Sequence, residues 1–325
     1  MKKNIAIIMG GYSSEVEISL KSGSVVYKHL DKEKYTAHKI HVLKNKWVLV
    51  DEENNEYPIN KHDFSADVNG HKIVFDCVFN AIHGMPGENG LILAYFDLIG
   101  LKHTSAPFYQ MALTFNKRDT LSVIKEYGIA TAISVYLNKG DHINIDEIIT
   151  KVGLPCFVKP NNAGSSYGIS KVHTKAELIP ALEVAYKEDS EILIESFLNG
   201  TEVSVGVIQY EGKTKVLPIT EIVSENDFFD YEAKYEGKSQ EITPARISKS
   251  QEKNVTEVAK RVYEILNMKG FTRAEYIFIN DKPHFLEINT VPGLTEASIL
   301  PQQASCAGIS LTALFGNAIE TALKN

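Results

Sequence analysis

The chain has 325 residues, enough for two or three domains rather than one, and its 44% hydrophobic and 23% charged content suits packed cores under an ordinary polar surface. A net charge of -7 argues against a nucleic-acid binder, which needs a basic footprint to neutralise phosphates, but leaves room for a local basic pocket for a small anion. Cys77, Cys156 and Cys306 are far apart and form no CxxC pair, a pattern of reduced thiols rather than a disulfide frame or zinc site.

The first elements read as α/β. Lys2-Lys3 before an apolar run resembles the start of a signal peptide, but the run breaks at Gly10-Gly11 and reads better as a buried strand over Ile5–Met9. Ser14–Leu30 is a helix pattern, Tyr35–Val42, Trp47–Val50 and Cys77–Ile82 are strand patterns, and Gly90–Ile99 returns to helix. This alternation predicts a mainly parallel sheet with functional loops at the strand C-termini. No stretch approaches transmembrane length, so the expectation is a cytoplasmic protein with no membrane partner.

The middle of the chain opens with a helix at Lys117–Tyr127 and a strand at Ile133–Leu137. Asn144–Glu147 and Thr174–Glu177 resemble capping boxes, and Pro180 should kink or shorten the second helix. Cys156–Lys159, Gly168–Val172, Glu191–Phe197 and Glu202–Ile208 are strand candidates for a small sheet around these helices. Further on, Val255, Val258, Ala259, Val262, Ile265 and Leu266 keep helical spacing, with Gly270 as the stop. Thr272–Ile279 and His284–Asn289 pair as a hairpin, and Leu311–Leu323 closes the chain as a helix. Residues 224–245 are polar and aromatic without clean periodicity, the mark of a lid or a disordered insert.

The strongest chemical signal is Glu287-Ile288-Asn289. Side chains at i and i+2 share a strand face, so Glu287 and Asn289 offer oxygen donors to one point, suited to Mg²⁺ beside a nucleotide. Arg273 and Glu275 share a face by the same rule, and the hairpin can gather all four. A surface ion-pair cluster explains the final strand about equally well on its own. Lys159-Pro160-Asn161-Asn162-Ala163-Gly164-Ser165-Ser166-Tyr167-Gly168 is a flexible hairpin loop whose small residues admit phosphate to backbone N–H groups. It lacks the order of a Walker A loop, and alone a plain turn explains it better. Glu195–Glu202 joins two strands through Asn199-Gly200 and offers an adenine edge and a ribose acceptor at Glu202, although an ordinary hairpin explains it equally. His83–Gly90 sits between strand and helix with three glycines, a His and a Glu, as a small-molecule site or as a histidine satisfied in a tight turn. Glu15 could bind an amine or simply complement a helix dipole.

Taken in order, Gly10–Glu15, His83–Gly90, Lys159–Gly168, Asp230–Tyr235 and Glu287–Gly293 resemble the D-alanine–D-alanine ligase family over essentially the whole chain. The resemblance implies an α/β and α+β ATP-grasp fold behind an N-terminal Rossmann-like parallel-sheet domain. The domains expected are residues 1–105, 106–200 and 201–325, the last carrying the metal site and a lid over 224–245. It implies ATP and two Mg²⁺ (or Mn²⁺) as cofactors, D-alanine as substrate, and a homodimer. Lys117, Lys159 and Ser166 would hold phosphates, with Lys234 reaching in from the lid. Glu195, Ser196 and Leu198 would line the adenine site, and Glu202 the ribose. Glu275, Glu287 and Asn289 would bind metal. Arg273 and the Gly293 N–H would stabilise the oxyanion. Glu15, with His83 and Glu88 nearby, would anchor the first D-alanine and Ser298 would help hold the second. Ser165 and Tyr235 would join Glu15 in closing the lid.

Glu275 stands where the family more often has Asp, Ser196 where a lysine is common, Asn89 at a usual Asp and Leu93 at a usual Gln. The alternatives are a D-alanine–D-lactate or D-serine ligase, against which Tyr235 argues for the lactate case, and a nucleotide-binding regulatory protein without turnover, against which the complete Arg273, Glu287 and Asn289 set argues. A dinucleotide-dependent oxidoreductase fails because the first loop lacks G-x-G-x-x-G.

Overall fold

The computed structural model describes residues 2–162, 164, 167–224 and 239–324, arranged around three sheets. In the first, β1 (Lys3–Gly11), β2 (Tyr35–Leu43), β3 (Trp47–Val50), β4 (Glu56–Asn60), β5 (Ser65–Val68), β6 (His71–Ile73), β7 (Cys77–Asn80) and β8 (Lys102–His103) run in the order β6-β5-β4-β3-β2-β1-β7-β8. The parallel sheet occupies β2-β1-β7-β8. From β2 outward it continues as an antiparallel meander through β6, built partly from strands that the sequence reading passes over. Ile5 to Met9 are all fully buried, as a central strand covered on both faces requires. Ala6 and Ile8 enter one core with Phe64 and Phe96, whereas Ile5, Ile7 and Met9 enter another with Val26 and Phe315. Helices α1 (Val16–His29) and α2 (Leu91–Leu98) follow β1 and β7, so the loops before them open at one edge of the sheet.

The second unit holds α3 (Phe108–Phe115), α4 (Lys117–Glu126), β9 (Ser134–Asn138), α5 (Ile145–Val152), β10 (Cys156–Pro160), β11 (Ser170–Val172), α6 (Leu178–Glu188) and β12 (Glu191–Ser196). Its four strands are antiparallel in the order β11-β10-β12-β9. Ile148 and Val152 of α5 and Leu178 and Leu182 of α6 pack on Val158, Ile192 and Ile194. Asn144 caps α5 by accepting from the Glu147 N–H, but the expected box does not close on backbone at either place. At Thr174 the hydroxyl bonds the Glu177 carboxylate, and Lys175–Glu177 is a 3₁₀ turn. After that 3₁₀ turn the α-helix begins at Leu178, shorter at its start than a Thr174 box implies, and Pro180 falls within α6. It lies in the first turn, where its missing N–H would have no intrahelical partner anyway.

The third sheet contains β13 (Thr201–Tyr210), β14 (Lys213–Val216), β15 (Thr220–Ser224), β16 (Ser239–Ile242), β17 (Phe271–Ile279) and β18 (Lys282–Asn289), in the order β16-β15-β13-β17-β18 with β14 also on β13. The Glu202–Ile208 strand therefore belongs here and not to the small sheet expected for it. Part of the unassigned 224–245 stretch is β16, which pairs with β15. Helix α7 (Lys249–Ile265) starts at a Ser248–Gln251 capping box. Its stop is Asn267, at φ 50°, rather than Gly270. The Asn267 and Met268 N–H groups close on the Glu264 and Tyr263 carbonyls, a Schellman ending. The chain ends with α8 (Ile299–Cys306) and α9 (Leu311–Lys324), and Phe315 of α9 meets Phe79 of the first sheet edge-on at 5.6 Å. Among the described residues no single helix is long and apolar enough to cross a membrane.

Candidate active site

Two strands of the third sheet, β17 and β18, bring one set of side chains to the same face. Across the β17–β18 hairpin Glu275 lies opposite Glu287, and Arg273 opposite Asn289. All four expected residues therefore share a face, as the i, i+2 rule requires. Arg273 Nη1 is 3.0 Å from Glu275 Oε1, and Asn289 Nδ2 donates to the same oxygen at 3.4 Å. A bulge follows directly, with Tyr276 paired to Phe285, so Leu286 is the extra residue and lines the cleft beside the carboxylates.

The second unit supplies the facing wall. Lys117, at the first position of α4, approaches Glu287 Oε2 at 3.7 Å. Lys159 near the end of β10 and Glu195 near the end of β12 meet at 2.8 Å, with side chains 16% and 3% exposed. Burial alone would lower the Lys159 pKa, but Glu195, Glu287 and Glu202 outweigh it and hold the ammonium above its ordinary value. Glu195 Oε1 is buried without a hydrogen-bond partner among the described residues. The Glu195–Glu202 segment is not a hairpin, because β12 and β13 lie in different sheets. It is the link between two walls of the cleft, and Ser196, Leu198 and Glu202 line it. Gly200 is obligatory there, since a Cβ would stand 1.7 Å from the Phe278 carbonyl oxygen. Ser196, the departure from lysine, exchanges bonds with Ile133: its N–H donates to the Ile133 carbonyl and its Oγ accepts from the Ile133 N–H.

The first sheet closes the third side. Glu15 sits at the start of α1, and a Cβ on Gly164 would come within 3.1 Å of its Oε2, so the β10–β11 loop reaches this carboxylate. His83 is buried against Ser22 Oγ at 3.1 Å, and burial lowers its pKa against the opposing pull of Glu15. Glu88 accepts from the Gly84 and Thr290 N–H groups, yet burial and then the Glu15 charge push it up to about 7. Thr290 begins the segment that carries Gly293 and Ser298. Ser298 stands at the N-terminus of α8, bonds Thr295 Oγ1 at 2.7 Å, and would meet a Gly293 Cβ at 2.8 Å. Glu296 fastens this segment to α1 through Lys28 and His29.

These groups line one cavity of about 1030 Å³, a volume that accommodates a nucleotide and a small substrate together. Every candidate among the described residues borders it: the Glu15, His83 and Glu88 group, the Lys117 to Glu202 wall, the β17–β18 hairpin, Gly293 and Ser298. Ser165, Ser166, Lys234 and Tyr235 lie outside the described residues. Among the described residues no three His, Cys, Asp or Glu side chains gather as a metal site. Two carboxylates and an amide on one wall are still a hard oxygen set suited to Mg²⁺, which takes few protein ligands and completes its shell with water and phosphate.

Sequence reasoning missed Ser22, Ser204, Gln303 and Glu241. Ser204 was within reach, standing two residues after Glu202 on the same strand face and donating to Glu275 Oε2 at 2.9 Å. Ser22 accepts from the Leu294 N–H while facing His83, which joins α1 to the Gly293 segment. Glu241 of β16 also lines the cavity, and burial raises its pKa against the Arg273 charge.

Comparison with known proteins agrees over the full length. Residues 4–106 match the family described as "D-ala D-ala ligase N-terminus" and residues 123–320 "D-ala D-ala ligase C-terminus". A relative from Flavobacterium johnsoniae named D-alanine–D-alanine ligase is 69% identical, covering 99% of each chain. The D-alanine–D-alanine ligase of Bacillus anthracis complexed with ATP superposes with a TM-score of 0.80 at 27% identity, covering 99% of this chain and 98% of that one. The VanG D-Ala:D-Ser ligase of Enterococcus faecalis gives 0.85 at 29% identity, covering 98% and 99%.

Proposed function

The chain belongs to the D-alanine–D-alanine ligase family, and we propose that its central cleft holds ATP and two D-alanine molecules on the residues gathered there. It is an ATP-dependent ligase that forms the peptide bond of D-alanyl-D-alanine, for peptidoglycan precursor synthesis. The observation that carries the site reading is the Arg273–Asn289 and Glu275–Glu287 pairing, facing Lys117, Lys159 and Glu195 across one cavity. Three structural units (residues 1–105, 106–200 and 201–325) each contribute a wall, and the 224–245 segment is the cover.

Glu195 Oε1 and the backbone of Ser196 and Leu198 meet the adenine, and Glu202 accepts from the ribose hydroxyls. Lys117, Lys159, Ser166 and Lys234 neutralise the phosphates. Glu15 takes the ammonium of the first D-alanine, with His83 and Glu88 behind it. The D-alanine carboxylate attacks the γ-phosphate to give a D-alanyl phosphate, and ADP leaves. Glu275, Glu287 and Asn289 would hold two Mg²⁺ (or Mn²⁺) ions, which would supply charge neutralisation for the phosphoryl transfer. Ser298, at a helix N-terminus, positions the carboxylate of the second D-alanine. Its amine, once deprotonated, attacks the acyl phosphate carbonyl and phosphate leaves, while Arg273 and the Gly293 N–H hold the oxyanion. A single donor of that kind contributes ~3–4 kcal/mol. Ser165 and Tyr235 join Glu15 when the cover closes, and closure protects the acyl phosphate from water.

On this reading the protein works in the cytoplasm as a homodimer joined through its N-terminal domain. Phosphate release from ATP and Mg²⁺ is measured with D-alanine, L-alanine, or D-alanine plus D-lactate or D-serine, with product identified by mass. Release that requires D-alanine, yields the dipeptide and disappears in Arg273→Ala supports the reading. No turnover by folded, ATP-binding protein restores the regulatory alternative, and a mixed product as the main one moves the acceptor to D-lactate or D-serine.

A further inference from the structure

The row that carries the proposed metal carboxylates does not end at Glu275. On the other side of β17, Ser204 of β13 is the direct cross-strand partner of Glu275, and Thr220 of β15 is that of Ser204. Ser204 is fully buried, and its hydroxyl donates to Glu275 Oε2 at 2.9 Å, while Arg273 and Asn289 hold Oε1. The serine is itself fixed from behind. Gln303 of α8 donates to the Ser204 carbonyl at 2.9 Å and to Thr220 Oγ1 at 3.0 Å, and Thr220 Oγ1 lies 2.6 Å from Thr243 Oγ1. Gly206 leaves room for this glutamine, since a Cβ there would stand 2.4 Å from Gln303 Oε1.

A glutamate has one more side-chain torsion than an aspartate, so its carboxylate samples more positions unless both oxygens are held. We propose that Ser204 is a positioning residue that holds the long Glu275 side chain in place for a divalent cation. The inference rests on reading Glu275, Glu287 and Asn289 as the metal donors. Loss of an outer hydrogen bond to a metal ligand typically costs 10–100-fold in affinity.

The test titrates Mn²⁺ into ADP-saturated enzyme and follows water-proton relaxation, with thermal unfolding confirming that each variant is folded. Ser204→Ala is expected to weaken Mn²⁺ binding about tenfold or more while the KM for D-alanine stays within about twofold. In the Glu275→Asp background, where the carboxylate withdraws by one methylene, the same serine change is expected to have no further effect. Wild-type Mn²⁺ binding in Ser204→Ala beside weakened binding in Glu275→Gln overturns the inference and leaves the metal reading standing. Undiminished binding in Glu275→Gln overturns both.

Discussion

The Lys159–Glu195 pair separates a structural role from a phosphate-binding one. Its atoms are 2.8 Å apart, and the Glu195 side chain is only 3% exposed. Changing Lys159→Met keeps an unbranched side chain of similar length but leaves a buried carboxylate with neither oxygen satisfied by that partner. Breaking a buried pair from one side costs ~3–5 kcal/mol, most of it the unpaired charge that remains. Changing Glu195→Gln as well removes that charge, so the double variant is expected to recover most of the stability lost. It is not expected to recover turnover, because a methionine offers nothing to a phosphate. The assay is urea unfolding of the wild type, both single variants and the double variant, alongside the KM for ATP and kcat. Unchanged stability in Lys159→Met would show that water reaches the pair and that the desolvation argument is wrong. Recovered turnover in the double variant would show that the lysine serves the fold alone.

The Glu88 pKa, raised to about 7 from an ordinary 4.5, makes stability depend on pH. Between those values the unfolded chain releases this proton first, so the group's contribution falls as pH rises from about 4.5 to about 7. Unfolding free energies at several pH values should show a shallower slope across that window in Glu88→Gln, and an unchanged slope refutes the assignment. Gly200→Ala places a methyl group against the Phe278 carbonyl. It should therefore displace the link between β12 and β13, raising the KM for ATP severalfold with a smaller effect on that for D-alanine. Equal effects on both would count against an adenine wall there. Asn267→Ala puts an ordinary side chain at φ 50°, at a cost of ~1 kcal/mol in unfolding free energy, whereas Asn267→Gly should be nearly neutral. Equal stability of the two variants would mean that the helix can end another way. Calorimetry should find ATP with a chelator bound at least tenfold more weakly than ATP with Mg²⁺, and equal affinity would remove the need for a metal at Glu275 and Glu287.

The candidate site was legible where strand geometry alone places side chains. Glu287 and Asn289, and Arg273 and Glu275, needed only a two-residue period and one hairpin, and the register pairs them directly. What failed was information held in long-range pairing. Glu195–Glu202 carries Asn199-Gly200, a favoured hairpin turn, yet the strands on either side join different sheets, and local sequence does not state a strand's partner. The meander from β4 to β6 was passed over although Asn69-Gly70 marks its last turn, with φ of 55° and 83°. Its short, largely polar strands give a weak alternation signal. At the end of α7 a glycine outranked an asparagine as a stop, although either residue tolerates the left-handed conformation. Ser204 and Gln303 stayed hidden for a different reason: a buried serine or glutamine has no motif, and its meaning comes only from the carboxylate or carbonyl that it reaches.

The cleft's charge balance explains how a chain of net charge -7 accommodates a polyphosphate. Three cations on its walls each face a carboxylate: Lys117 faces Glu287, Lys159 faces Glu195, and Arg273 faces Glu275. These pairs hold the three cations where phosphate and oxyanion are expected, so little reorganisation is left for the reaction itself. They also mean that a bare polyphosphate would gain each cation only by pulling it from its carboxylate, leaving three negative groups around a negative ligand. A metal–nucleotide complex meets less of that penalty on the proposed reading, because the ion takes Glu275 and Glu287 as the phosphates take the lysines. Pairing that looks redundant in the free protein thus makes the cleft selective for the metal complex over the nucleotide alone. The selectivity depends on the two carboxylates being held in register across one hairpin.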